Sequence, residues 1–452
     1  MKIPEIPEAQ YNKLVSDYER KTAKSKKLHE EAKKYIVPMG VHTYTTWHRP
    51  YPLFIDKALG SRVTDVDGNA YIDLFLDNGV SFIGHNPPKV REKIAKTMEK
   101  YGIHLQLCEE LQIEWAKKIT KHYPSCQKLK VVNTGNEATE LAAQIARAYT
   151  GRNIIIKLQG HHHGWNAVLS YDALVPGTGT FFTKGIPENH WENIIAVPAN
   201  DIDGLEKTIK QNPKKIAAVI MEPMGEGTGS LPLKDGYQKE VRKLTQENDV
   251  LLIFDEVASG FRVALGGAQE LLGIKADITC LGKHCGGGIP VGVVGGRDDI
   301  MSVVGSLDPK AEHFGPVFPM GAFCLHPLAM AGGIAIIEEL EQGNYFKNAT
   351  LRAEQLVKGI NKAAGDLKIP LSASNTYTVT HYSLAIEYNI NDMDTAMAAL
   401  NFNQMVRFGL LLSDPGAVVG LPGNMYICGV LTEEDINKAI FAFENCFKLF
   451  KT

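Results

Sequence analysis

VLLIFDEVASGFRVALGGAQELLGIKADITCLGKHCGGG (250–288) is the stretch from which the fold can be read. It holds two short apolar runs, VLLIF at 250–254 and ITCL at 278–281, of the length of buried strands rather than helices. The first run stops on Asp255 and Glu256, and the second runs through Gly282 to Lys283 and then to Gly286, Gly287 and Gly288. A charged group at the end of an apolar strand is costly unless it is paired. Such residues are therefore candidates for chemistry.

The same rhythm extends in both directions. LKVVN (129–133), NIIIKL (153–158), KIAAVIME (215–222) and VGVVGG (291–296) are further apolar runs, and charged helical stretches such as DGYQKEVRKLTQEN (235–248) separate several of them. Continuous apolar strands alternating with helices predict a mainly parallel sheet covered on both faces. Sheets of this kind receive ligands at the C-terminal ends of their strands. In EATELAAQIARAYTG (137–151), Ala138, Leu141, Ala142, Ile145 and Ala148 recur at helical spacing, and Gly151 supplies the stop. DVDGNAY (65–71) reads as a hairpin turn, and 9–36 as a charged surface helix. VPMGVHTYTTWHRPYPLF (38–54) has no periodicity, as expected of an irregular segment lining a site. After about 327 the pattern changes to α+β, with strands near 376–388 and 424–430 and helices near 391–407 and 432–447. The expected division is an N-terminal segment (1–75), a large ligand-binding domain (76–325) and a smaller C-terminal α+β domain (326–452).

Composition narrows the function. A formal net charge of -3 argues against nucleic acid as the main partner. The opening residues are too polar for a signal peptide, and no run approaches the roughly 20 apolar residues of a membrane helix. Seven scattered cysteines without a CxxC pair fit reduced thiols in a cytoplasmic protein. His161, His162 and His163 are consecutive, a poor arrangement for zinc, so no metal is expected.

Several strand ends carry candidate chemistry. NTGNEA (133–138) suits a phosphate cradle, with the hydroxyl of Thr134, close approach at Gly135 and the free N–H groups of the following helix around Asn136. It equally suits a plain helix cap. Asp255 could keep a pyridine nitrogen protonated, the property that makes such a ring an electron sink. Its blander role is an ion pair with a residue such as Arg262. Lys283, before a glycine turn, is placed to form an imine. In GHHHGWN (160–166), His162 could lie against a ring with His161 or His163 as hydrogen-bonding neighbour. Glu222 could hold a loop or a polar neighbour, and Gln269 could reach a phenolic oxygen or a phosphate or simply pack.

Together RVTDVDGNAYIDL, NTGNEA, ARAYTGR, KLQGHHHGW, MEPMG, LLIFDEVASGFRVALGGAQ, ADITCLGKHCGGGIPVGVVGGR and HPLAMAGG resemble the fold-type-I, class III aminotransferases, most closely the branch of glutamate-1-semialdehyde 2,1-aminomutase, from about residue 36 to 440. The resemblance implies the pyridoxal-phosphate-dependent transferase fold with a seven-stranded sheet, pyridoxal 5'-phosphate as cofactor, and a homodimer with shared active sites. It implies that Lys283 carries the cofactor as a Schiff base and shuttles a proton, and that Asp255 pairs with the pyridine nitrogen. Thr134, Gly135 and Asn136 fall on the phosphate turn, Val257 on one face of the ring, and His162 where the family has a stacking Tyr.

Two departures bear on substrate. Ala322, after Gly321 in GAFCLHP (321–327), occupies the place of the family's phosphate-binding Thr from the partner subunit, and Thr46 stands where the aminomutases carry a carboxylate-holding Arg. Arg49 lies three residues on, and the aromatics Tyr44, Trp47 and Tyr51 leave room for an apolar group. The first expectation is therefore a transaminase that moves an amino group from a β- or ω-amino compound to a 2-oxo acid such as 2-oxoglutarate or pyruvate. The acceptor's carboxylate would need an arginine; Arg262, Arg352 and Arg407 are available by chain position. The alternatives are intramolecular transfer as in the aminomutases, a racemase or epimerase, and a noncatalytic cofactor-binding regulator.

Overall fold

The computed structural model describes residues 5–37, 50–104, 107–173, 184–225, 233–305, 315–384, 403, 405–407, 409–410, 418–419 and 423–450. Met1–Pro87 with Asn344–Thr452 forms one compact unit and Pro88–Gly343 another.

In the first unit the expected N-terminal helix is two helices, Glu8–Lys21 and Ala23–Ala32, broken at Thr22. The Thr22 hydroxyl bonds back to the Tyr18 carbonyl at 2.7 Å. Strands Ile55–Leu59 (β1), Arg62–Asp65 (β2) and Ala70–Asp73 (β3) follow as an antiparallel sheet. The β2–β3 turn is the hairpin that DVDGNAY predicts, with Gly68 at φ 94° and the Asp65 carboxylate accepting from the N–H groups of Asp67 (3.0 Å) and Asn69 (2.8 Å).

The second unit contains the seven-stranded sheet. Its strands are Lys128–Val132 (β4), Ile154–Leu158 (β5), Ile194–Val197 (β6), Ile216–Met221 (β7), Leu251–Asp255 (β8), Ile278–Gly282 (β9) and Gly292–Gly296 (β10), in the order β4-β10-β9-β8-β7-β5-β6. All neighbours are parallel except β10, which is antiparallel to both β4 and β9. The reversal follows from chain length. Residues 283–291, the β9–β10 connection, are too few for a parallel crossover, which takes about a dozen residues or more. Every position of β7, β8, β9 and β10 is buried. One apolar cluster joins Ile155, Ala218, Ile220 and Ile253 of the sheet to Ala138, Leu141, Ala142 and Ile145 of the Gly135–Thr150 helix. Ala148, expected on that face, is exposed, and Ala143 and Ala146 are buried instead. Gly151 ends the helix in the left-handed conformation.

The Pro327–Gln342 helix, expected to open the C-terminal domain, belongs to this second unit and packs against the Pro88–Tyr101 and Glu110–His122 helices. It is apolar on nearly all sides because it is buried there. The boundary accordingly falls at Gly343/Asn344.

The remainder of the first unit is α+β, as its pattern predicts. The Tyr345–Asp366 helix leads into Leu371–Thr376 (β11) and Val379–Leu384 (β12), which form a sheet with Asn424–Tyr426 (β14). Val418–Val419 (β13) runs parallel to β3. The Glu433–Phe447 helix starts on a capping box between Thr432 and Asp435. The helix expected near 391–407 lies largely outside the described residues. No helix of the described residues is long and apolar enough to cross a membrane.

Candidate active site

Three strand ends meet in the second unit. Antiparallel β10 places Gly292 beside Val132 at the end of β4 and beside Gly282 at the end of β9. A side chain at Gly292 would strike the Thr134 carbonyl at 2.0 Å, so glycine permits the β4 and β9 turns to approach. Val257, two residues past the end of β8, closes the gap. A Cβ on Gly135 would lie 2.6 Å from Val257 Cγ1, and one on Gly282 3.2 Å from the same atom.

Thr134 is the N-cap of the Gly135–Thr150 helix, and its hydroxyl accepts from the Glu137 N–H at 3.1 Å. The first helical bond to the Thr134 carbonyl comes from Ala138, so the N–H groups of Gly135 and Asn136 precede the intrahelical ladder, at the positive end of the helix dipole. The Asn136 side chain is committed elsewhere. Its Oδ1 accepts from the N–H groups of Trp165 (2.8 Å) and Asn166 (3.0 Å), tying the histidine loop to the helix.

Asp255 is 4% exposed. Its Oδ2 meets His163 Nδ1 at 2.7 Å and its Oδ1 accepts from the Val257 N–H at 3.1 Å. A carboxylate only accepts, so Nδ1 carries the His163 proton. Burial pushes the His163 pKa down against the opposing pull of Asp255. Burial also takes His162 down to about 4, with His163, Asp255 and Lys283 as its next strongest electrostatic neighbours. Asp255 and Lys283 thus act on one ring. Lys283 has φ 48°, an uncommon conformation for a residue with a side chain, and such backbone costs roughly 1–3 kcal/mol and clusters at functional sites.

Glu222 follows β7. Its Oε1 accepts from the His162 N–H at 2.6 Å, and its own N–H donates to His161 Nδ1 at 2.9 Å. It holds the loop, one of its two expected roles. Gln269 packs: its amide donates to Glu256 Oε1 and Thr279 Oγ1, both at 3.1 Å, and accepts from the Ala276 N–H at 3.0 Å. The Gln269 amide joins the Ala268 N–H and the Ser259 hydroxyl on Glu256, whose pKa burial raises to about 7 against the lowering by these donors. Gly321 is half-buried, 3.2 Å from Asn133 Nδ2 at its would-be Cβ, and Ala322 is exposed.

Each of the three arginines considered for a substrate carboxylate has neighbours of its own. Arg262 is fully buried with Nη2 3.3 Å from His284 Nε2, Arg407 is buried with Tyr382 and Tyr18 as electrostatic neighbours, and Arg352 meets Gln355 and Glu433. Asp255 is held by His163 and Val257 instead of the ion pair considered with Arg262. Tyr51, expected to shape the substrate space, is core of the first unit, with its ring 5.0 Å from that of Tyr18. Tyr44, Thr46, Trp47 and Arg49 lie outside the described residues. Among the described residues no group of three or more His, Cys, Asp or Glu side chains is arranged to hold a metal.

The residues present fit pyridoxal phosphate. A buried carboxylate held by an imidazole N–H suits a cationic heterocycle, helix N–H groups outside the intrahelical ladder suit an anion, and a lysine stands on the adjoining turn. The sequence profile described as aminotransferase class-III matches residues 43–369. The chain belongs to the class III aminotransferase family. Among curated members, a glutamate-1-semialdehyde 2,1-aminomutase of Archaeoglobus fulgidus is 38% identical over 438 residues, 93% of this chain and 99% of its own. One from Persephonella marina is 34% identical over 441 residues, 95% of this chain and 99% of its own. An ω-transaminase structure from Sphaerobacter thermophilus superposes with a TM-score of 0.83 at 26% identity, covering 94% of this chain and 97% of that one. A glutamate-1-semialdehyde aminomutase structure from Pseudomonas aeruginosa PAO1, at 22% identity and TM-score 0.85 over 98% of both chains, shares the fold. This class III aminotransferase is a pyridoxal-phosphate-dependent enzyme of fold type I.

Proposed function

We propose that this enzyme shifts an amino group within one substrate molecule, as its aminomutase relatives are named for, with no 2-oxo acid consumed. The observation that carries this reading is sequence identity of 33–38% along 99% of the length of four aminomutases. It replaces transfer to a 2-oxo acid as the leading reading. One observation keeps transamination as the second: Thr46 stands where the aminomutases carry a carboxylate-holding Arg.

When bound, pyridoxal phosphate supplies an aldehyde for amine exchange and a protonated ring that accepts electron density from a deprotonated carbon. The protein does the rest. Lys283 Nζ would anchor the cofactor and, once a substrate amine displaces it, would act as the base that takes the proton from the reacting carbon and as the acid that gives it back. Asp255, steadied by His163, holds the proton on the ring nitrogen. The Gly135 and Asn136 N–H groups would receive the phosphate, and Gly321 and Ala322 of a second copy would approach it. The His162 ring and Val257 would pack against the cofactor ring, and Glu222 fixes the loop that carries His162. A homodimer accounts for large apolar side chains exposed in the second unit, among them Trp165 (79%), Met320 (80%) and Phe323 (60%).

Incubation with a panel of amino compounds, each with and without 2-oxoglutarate or pyruvate, tests the reading by mass spectrometry. An isomeric product independent of the oxo acid supports it. Strict dependence on the oxo acid would establish transamination instead.

A further inference from the structure

Lys157 lies inside β5 with no exposed surface, paired on one side with Ala196 of β6 and on the other with Ile220 of β7. Its Nζ donates to the carbonyls of His161 (3.0 Å), Leu169 (3.1 Å) and Tyr171 (2.7 Å). An ammonium has three N–H donors, so all are used, and all on one loop. Nothing in the chemistry above uses this lysine.

The His161 carbonyl belongs to the same planar peptide unit as the His162 N–H. Lys157 therefore grips the oxygen of that peptide while Glu222 grips its N–H at 2.6 Å. Opposite charges hold the two ends of a single peptide bond, and rotation of that peptide would break two charge-assisted hydrogen bonds together. Downstream, the His163 carbonyl accepts from Thr139 Oγ1 (2.6 Å) and Asn166 Nδ2 (3.1 Å), and the His163 ring meets Asp255.

We propose that Lys157 and Glu222 are paired positioning residues, a cation and an anion joined through the His161–His162 peptide, which keep His163 on Asp255 and His162 at the cofactor. The proposal rests on Asp255 being the partner of the ring nitrogen. Burial lowers the Lys157 pKa to about 8, opposed by Asp172 and Glu222, so the ammonium persists at neutral pH.

The test uses Lys157→Met, Glu222→Gln and the double variant of the full chain, with circular dichroism confirming the fold. Amide hydrogen exchange over residues 160–166 is read in the apoprotein, and pyridoxal phosphate affinity and bound-cofactor absorbance are read after loading. Each single variant is expected to exchange about tenfold faster in this loop and to bind the cofactor about tenfold more weakly, the scale of a charged hydrogen bond lost in Lys157→Met or made neutral in Glu222→Gln. The double variant is expected to be no worse than the weaker single, because both residues act on one peptide. Unchanged exchange in the singles, or losses that multiply in the double, would overturn the clamp. If Lys157→Met does not fold, exchange in the volume-conserving Glu222→Gln decides alone. A wild-type protein without a Lys283-dependent absorbance band would refute the cofactor reading, while apoprotein exchange would still judge the clamp.

Discussion

Asp255 and Lys283 stand at the ends of strands whose other positions are all buried, and this contrast made them readable before any coordinates. Their roles give two expectations. Lys283→Ala should abolish the absorbance of covalently held cofactor and reduce turnover at least about a hundredfold, the lower scale of general acid–base catalysis. Normal turnover in that variant would refute the assignment. Asp255→Asn should lose turnover while still binding the cofactor, since the phosphate turn and Lys283 are untouched; full turnover would remove the ring nitrogen from its proposed partner. The histidines were less legible. Three consecutive imidazoles look alike in sequence, and only the loop geometry sends His163 to Asp255 and His161 to the Glu222 N–H. Gln269 was open to two uses, reaching a ligand or packing, and it packs. Its partner Glu256 is the residue beside Asp255, and the alternation of a strand sends the two carboxylates to opposite sides.

At the scale of elements, the strand–turn–helix of NTGNEA was legible as a unit that can both cap a helix and cradle a phosphate, and the first use rests on the Thr134 hydroxyl. That hydroxyl caps the helix. Thr134→Ala should therefore cost about 1 kcal/mol of stability in denaturant titration and leave pyridoxal phosphate affinity unchanged. A tenfold loss of affinity without loss of stability would show the hydroxyl on the phosphate instead. Gly135→Ala should do the reverse of a neutral change, because its Cβ would collide with Val257 Cγ1. The expected result is weaker cofactor binding from a displaced Val257, read by equilibrium titration; wild-type affinity would contradict the packing of these turns. The edge strand β6 was missed because IIAV is only four residues long, and the antiparallel β10 was visible only through the shortness of the 283–291 connection.

At the scale of the whole molecule, the alternation of strands and helices predicted the sheet, whereas the boundary at Gly343/Asn344 did not show, because a helix buried on all sides and one leaving a domain can have the same composition. Substrate identity was least legible of all, since the segment around Thr46 gives residue types without placing them. Stability of the whole chain carries a separate mark. Burial alone would lower the His85 pKa, but its 2.7 Å bond to Asp73 and the charges of Asp73 and Asp77 raise it. A raised folded pKa means the stabilisation is complete below the ordinary histidine value and fades as pH climbs through the folded one. His85→Asn should thus destabilise more at pH 6 than at pH 9 in thermal unfolding, and the opposite order would contradict the pairing.

The most direct test of the proposed intramolecular shift supplies purified, cofactor-loaded protein with glutamate 1-semialdehyde, the compound its curated relatives are named for, as sole substrate and follows the isomer whose amino group has moved from carbon 2 to carbon 1. The expected result is steady formation of that isomer, at a rate unaffected by added 2-oxoglutarate and absent in Lys283→Ala. Isomer formation that appears only with a 2-oxo acid, or no isomer beside brisk transamination of a β- or ω-amino compound, would contradict it.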